Sequence, residues 1–228
     1  MNKIILIAII LIIGLLGGVV YVKTSQPKEE KKNIARTIKI IAFGDSLTAG
    51  YGVGEADNYP SQLQALLMGD GYDVEILNRG ISGETTAQGK ERAQRIRDEG
   101  ADIILLGLGG NDALQRRSLD ETRTNLSTII ETLQSGDTPP QVLLLTMKVP
   151  LVAGLTFGFS YKDDFENLYG ELAEKYQIIA VPFLVSEVLL SEKYGLPDKI
   201  HLNKEGYAFL VSKYVAPAVK KAIGNIAE

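Results

Sequence analysis

From Thr37 onward, short apolar runs alternate with longer amphipathic stretches, and the two spacings predict different elements. Ile38 to Phe43, Asp73 to Leu77, Asp102 to Leu106, Val142 to Thr146 and Ile178 to Val181 are short and largely apolar, the pattern of strands buried on both faces. Between them, Tyr59 to Met68, Thr86 to Asp98, Leu119 to Gln134 and Lys162 to Tyr176 read as helices, and a last helix is expected over Lys204 to Ile223. Strand alternating with helix predicts an α/β fold, because a parallel sheet needs a crossover to return each strand in the same direction. Right-handed crossovers then favour a three-layer α/β/α sandwich around a flavodoxin-like, parallel, five-stranded sheet.

The first residues follow a different pattern. Nineteen residues from Ile4 to Val22 carry no charge and are bounded by Lys3 and Lys23. As a helix they would measure about 28 Å, close to the roughly 30 Å hydrocarbon core of a bilayer. The expectation is one N-terminal transmembrane helix over residues 1–22, a polar linker over 23–36 and a single domain over 37–228. A cleaved signal sequence is the alternative, but no clear Ala-x-Ala follows the apolar run. Lys23, Lys28, Lys31, Lys32 and Arg36 outnumber Lys3, which taken literally keeps the domain in the cytoplasm. A very short basic start before an apolar run is also how exported chains begin. The reading adopted is a membrane-anchored, single-pass protein with an extracytoplasmic domain, secreted if the segment is cleaved.

Composition narrows the chemistry. Residues 1–36 hold six Lys and Arg against two Glu, leaving 18 basic and 26 acidic residues and a charge of −8 for the rest. That balance argues against a nucleic-acid partner. Cysteine is absent, which removes disulfides and thiol catalysis, and His201 is the sole histidine, so no histidine metal cluster can be assembled.

Ligands of an open parallel sheet bind at the carboxyl ends of its strands, so the loops that follow strands are where chemistry is sought. After the first strand the chain reads Gly44-Asp45-Ser46-Leu47-Thr48, after the second Ile81-Ser82-Gly83-Glu84-Thr85, and after the third Gly109-Gly110-Asn111-Asp112. Asp198 and His201 lie just before the final helix. Three familiar motifs fail on inspection. Five residues, not four, separate Gly83 from Gly89-Lys90, and Glu91 stands where a phosphate loop needs Ser or Thr. Asp112 occupies the third glycine position of a dinucleotide fingerprint, and Thr48 replaces the second glycine of a Gly-x-Ser-x-Gly elbow.

Together the loops hold the parts of an acyl transfer site. A serine hydroxyl needs a base, and the base needs an orienting carboxylate. Asp198 and His201, three residues apart, can supply both to Ser46. The oxyanion needs donors fixed in advance, for which the Ser46 amide, the Gly83 amide and the Asn111 side chain are candidates. These blocks, in this order, resemble the four signature blocks of the SGNH hydrolases, also called GDSL esterases and lipases, most closely the bacterial thioesterase, arylesterase and lysophospholipase branch. The resemblance spans Thr37 to the C-terminus. It implies a metal-independent esterase without cofactors, with Ser46 as nucleophile, His201 as base, Asp198 as its orienter, and Ser46, Gly83 and Asn111 as the oxyanion hole. Two departures stand out: Leu202 follows the histidine where the family usually has Pro, and Met147 to Ser160 is rich in apolar residues, which either line an acyl or aryl groove or pack on the domain or a membrane. The expected partners are a small-molecule ester or lipid substrate and, through the N-terminal segment, a membrane. Alternatives are a carbohydrate O-acetylesterase of the cell envelope and a catalytically silent, tethered binding module.

Overall fold

A computed structural model of the chain describes residues 36–148 and 159–226, which belong to one compact unit, Lys32–Glu228. Five strands, β1 (Ile38–Gly44), β2 (Val74–Gly80), β3 (Ile103–Gly107), β4 (Gln141–Thr146) and β5 (Ile179–Pro182), form one sheet in the order β2-β1-β3-β4-β5. Every pair is parallel, as expected from the alternation of element types. The central β1, β3 and β4 are almost wholly buried. That burial on two faces is why their sequences read as unbroken apolar runs.

The helices are α1 (Ser46–Ala49), α2 (Tyr59–Gly69), α3 (Thr86–Asp98), α4 (Gly110–Leu114), α5 (Leu119–Leu133), α6 (Phe159–Tyr176), α7 (Ser186–Leu189), α8 (Lys204–Leu210) and α9 (Ala216–Ile226). Packing sorts the long ones into two groups: α3 with α5 and α5 with α6, and α2 with α8 and α9. Local chemistry sets their starts. Asn58 accepts from the Ser61 amide ahead of Pro60, Thr85 and Gln88 form a reciprocal capping box, and Asn203 accepts from the Gly206 amide. The last helical stretch is not uniform, because a π turn over Val211–Val215 separates α8 from α9. Pro217 lies just beyond that turn, where a proline cannot donate to an α-helical ladder, and the widened turn accommodates it.

Boundaries predicted from the pattern hold within about three residues. The largest differences are at the end of β2, the start of α6 and the end of α9. β2 runs on through Asn78, Arg79 and Gly80, because these residues keep pairing with β1 although none is apolar. The short helices α1, α4 and α7 carry too few residues for a periodicity to be visible.

The single-pass, membrane-anchored reading is corrected here. No helix among the described residues is long and apolar enough to cross a membrane. The expected transmembrane helix over residues 1–22 falls outside the described residues, as does the linker except for Arg36. Arg36 itself joins the folded unit through a two-pronged contact with Asp102, at 2.7 and 2.6 Å.

Candidate active site

Three strands end level with one another. Gly44 of β1 pairs with Gly80 of β2 on one side and with Gly107 of β3 on the other. Gly44 has to be a glycine, since a Cβ there would collide with Thr48 Oγ1 and the Gly107 carbonyl. The chain leaves this edge through Asp45, whose carboxylate Oδ1 accepts from the Leu47 amide at 3.0 Å and caps α1. Ser46 is the first residue of that helix, 9% exposed, with its side chain lining a cavity of about 220 Å³.

The Asp198–His201 loop meets Ser46 from the far end of the sequence. Asp198 Oδ1 accepts from the Ile200 and His201 amides at 3.0 and 2.9 Å, so the carboxylate folds its own turn. Its second oxygen accepts from His201 Nδ1 at 2.7 Å, and His201 Nε2 lies 2.8 Å from Ser46 Oγ. An ionised carboxylate can only accept, so the ring proton sits on Nδ1 and the free Nε2 lone pair faces the serine hydroxyl. Partial burial works against the Asp198 charge, but the two amide bonds and the imidazole outweigh it and hold its pKa below the usual carboxylate value. Leu202, the residue after the histidine, is buried in the core. Around it the loop closes on Tyr194 to Leu196 through Leu196 N to His201 O and Asn203 N to Tyr194 O, at 2.8 and 3.0 Å.

Gly83 and Asn111 line the same cavity. Gly83 has φ +81°, which favours glycine, and a Cβ there would meet no atom within 4 Å, so its backbone opens onto free space. Asn111 sits in the first turn of α4, and its Nδ2 donates to the Glu84 carbonyl at 3.0 Å and to Asp45 Oδ2 at 3.2 Å. Both amide protons are thus engaged, the bond to Asp45 being the longer. The neighbouring Asp112 is fully buried and accepts from the Thr86 amide and hydroxyl at 2.8 and 2.6 Å, locking the third loop onto the start of α3.

Four further residues contribute, none of which the motifs assign a role. Tyr51 lays its ring 4.5 Å from that of His201 and covers one face of the imidazole. No periodicity marks it. Glu84 and Arg92 form a buried ion pair in which Arg92 also donates to the Arg79 and Gly44 carbonyls, at 2.7 and 3.3 Å, and stacks over Phe43. A signal did exist in the sequence. Arg92 falls on the inward stripe of α3 with Gly89, Ala93 and Ile96, where a charge requires a partner. Asp45 stood inside a motif but was given no role.

Burial raises the Asp45 pKa from its ordinary 3.8 to about 7; the Leu47 amide opposes this, and the Glu84 and Asp112 carboxylates add to it. Between those two pH values the folded protein holds a proton that the unfolded chain has lost. Stability from this group is therefore full below about pH 4 and is lost as the pH rises through about 7. In urea titrations from pH 4.5 to 7.5, the Asp45→Asn variant should lack a downward slope that approaches about 1.4 kcal/mol per pH unit in the parent. An identical slope in both proteins would refute the assignment.

The remaining cavity wall is mostly apolar, with Leu47, Ala113, Leu114, Phe165, Leu184 and Ile200. Of the apolar segment read either as a groove lining or as a packed loop, residues 149–158 lie outside the described residues, Met147 is buried, and Lys148 reaches the cavity.

Comparison with known proteins identifies the family. Residues 42–209 match the model of the GDSL-like Lipase/Acylhydrolase family. The chain is 31% identical to an arylesterase of Vibrio mimicus over 80% of its own length and 88% of the relative's. It is 27% identical to thioesterase 1/protease 1/lysophospholipase L1 of Escherichia coli K12, over 79% of this chain and 84% of that one. Among solved structures, TesA superposes with a TM-score of 0.74 at 27% identity, covering 81% of this chain and 99% of its own. The SGNH-hydrolase family esterase AlinE4 does so with 0.66 at 36%, covering 83% and 98%. The family match runs from inside β1 to inside α8, and the chain belongs to the GDSL-like lipase/acylhydrolase family, as an ester-hydrolysing enzyme of the SGNH type.

Proposed function

We propose that the chain hydrolyses carboxylic esters or thioesters through an acyl-enzyme on Ser46, within an esterase domain spanning residues 37–228. The observation that carries this reading is the continuous relay Asp198 Oδ2, His201 Nδ1, His201 Nε2, Ser46 Oγ, with contacts of 2.7 and 2.8 Å. His201 takes the hydroxyl proton as Oγ attacks the carbonyl carbon, and Asp198 stabilises the imidazolium that forms. His201 then gives that proton to the departing alkoxide or thiolate. Water repeats the sequence on the acyl-enzyme, releasing the acid and restoring Ser46.

Charge developing on the carbonyl oxygen falls to the Ser46 and Gly83 amides and to Asn111. The longer of the two Asn111 bonds, 3.2 Å to Asp45, is the one an oxyanion can compete for. The apolar wall favours medium acyl or aryl groups over acetyl, since each further buried CH₂ contributes about 0.8 kcal/mol. That preference weighs against a carbohydrate O-acetylesterase.

A fluorophosphonate probe tests the reading directly. Oγ attacks phosphorus and expels fluoride while His201 takes the proton. Peptide mass mapping should place the adduct on Ser46 and nowhere else. A folded sample that resists the probe would favour the binding-module reading instead.

A further inference from the structure

β4 delivers a charge to an otherwise apolar wall. Beyond Thr146 the chain passes through the buried Met147 to Lys148, whose side chain lines the cavity that holds Ser46 and His201. Lys148 is the one lysine or arginine among the residues lining it, beside Leu114, Phe165, Leu184 and Ile200. Its ammonium donates to Ser186 Oγ at 3.3 Å, a long bond to a neutral group, and it forms no ion pair among the described residues. The one carboxylate of the lining, Asp45, is turned away into contacts with the Leu47 amide and Asn111. A charge bordered by low-dielectric hydrocarbon attracts an anion more strongly than the same charge in bulk water.

Position along the sheet sets the scale. Ser46 follows β1 and Lys148 follows β4, with β3 between them. Neighbouring strands lie about 4.8 Å apart, so the two loops stand about 10 Å from one another along the sheet edge. A substrate laid across the strand ends would place its reacting carbonyl at one end of that interval and a remote group at the other.

We propose that Lys148 is a specificity-determining residue that selects esters and thioesters bearing a second, anionic group, a carboxylate or phosphate, about 10 Å from the scissile carbonyl. The inference rests on the reading of Ser46 as the nucleophile. The anion can sit on the acyl chain or on the leaving group, and two matched pairs of substrates separate these cases. On the acyl side, the p-nitrophenyl half-ester of an eight-carbon dicarboxylic acid is compared with the same molecule capped as its methyl ester. On the leaving-group side, octanoyl glycerol phosphate is compared with octanoyl glycerol.

The quantity read is the ratio of kcat/KM for the charged member to that for the neutral one. That ratio should be about tenfold in at least one pair, should shrink as salt rises, and should survive Lys148→Arg but fall to about one in Lys148→Gln. The pair that shows it identifies the arm of the substrate carrying the charge. Absence of a charged-member preference in both pairs overturns the proposal, as does a preference that Lys148→Gln leaves in place. The neutral members serve as the control on the chemistry. If Ser46→Ala still turns them over, the nucleophile assignment is what falls.

Discussion

Replacing Ser46 with alanine should reduce ester turnover by about 10⁶, the scale on which other serine hydrolases respond to loss of their nucleophile. Ser46 is the first residue of α1, a position alanine also accepts, and the turn itself is held by Asp45 and Gly44, so the variant should melt with the parent. What disappears is the atom 2.8 Å from His201 Nε2. Hydrolysis must then rely on water that is not positioned against the carbonyl, leaving only binding and oxyanion stabilisation. Removing Asn111 acts on that residual part. If Asn111 is the proposed oxyanion donor, Asn111→Ala should cost about 10² to 10³ in kcat with a smaller change in KM, because such a donor serves charge that exists mainly in the transition state. Steady-state rates on a p-nitrophenyl ester order the two, and undiminished turnover by Ser46→Ala would end the acyl-enzyme mechanism.

Removing the Arg92 guanidinium should produce the largest loss of stability. The Glu84 and Arg92 side chains are 4% and 10% exposed, and Arg92→Met would strand the carboxylate with no cation to meet it. Breaking such a pair costs about 3–5 kcal/mol. Against a total stability of about 5–15 kcal/mol for a domain of this kind, that is a substantial fraction. Much of the penalty is the orphaned charge, so the double variant Arg92→Met with Glu84→Gln should recover a large part of it. Urea unfolding of the parent, both single variants and the double variant measures the coupling. A single-variant loss below about 1 kcal/mol would show that the pair is not held as described. Turnover should fall as well, because the Glu84 carbonyl receives one proton of Asn111 and Glu84 directly follows Gly83.

Much of this molecule can be read without coordinates because its periodicities are strong. The parallel sheet follows from unbroken apolar runs such as Ile103 to Leu106, which only a strand covered on both faces tolerates. Ser46, Gly83, Asn111, Asp198 and His201 could be named as candidates because each lies in a stretch that departs from those periodicities, and the fold brings all five to one cavity or its hydrogen-bonded rim. The anchor failed as a reading because a run of uncharged residues reports only local hydropathy, and it falls outside the described residues, none of whose helices could cross a membrane.

The sequence by itself determined the order and type of the strands and long helices and named the candidate parts of the site, since both depend on local spacing and residue type. Tertiary structure alone decided how those parts meet: that Asp45 holds the Asn111 amide, that Tyr51 covers the imidazole, that Arg92 finds Glu84, and that Lys148 enters an apolar wall. The energies of those contacts depend on distances and burial that local patterns do not encode; even the inward stripe of α3 marks only that Arg92 needs a partner, not which one.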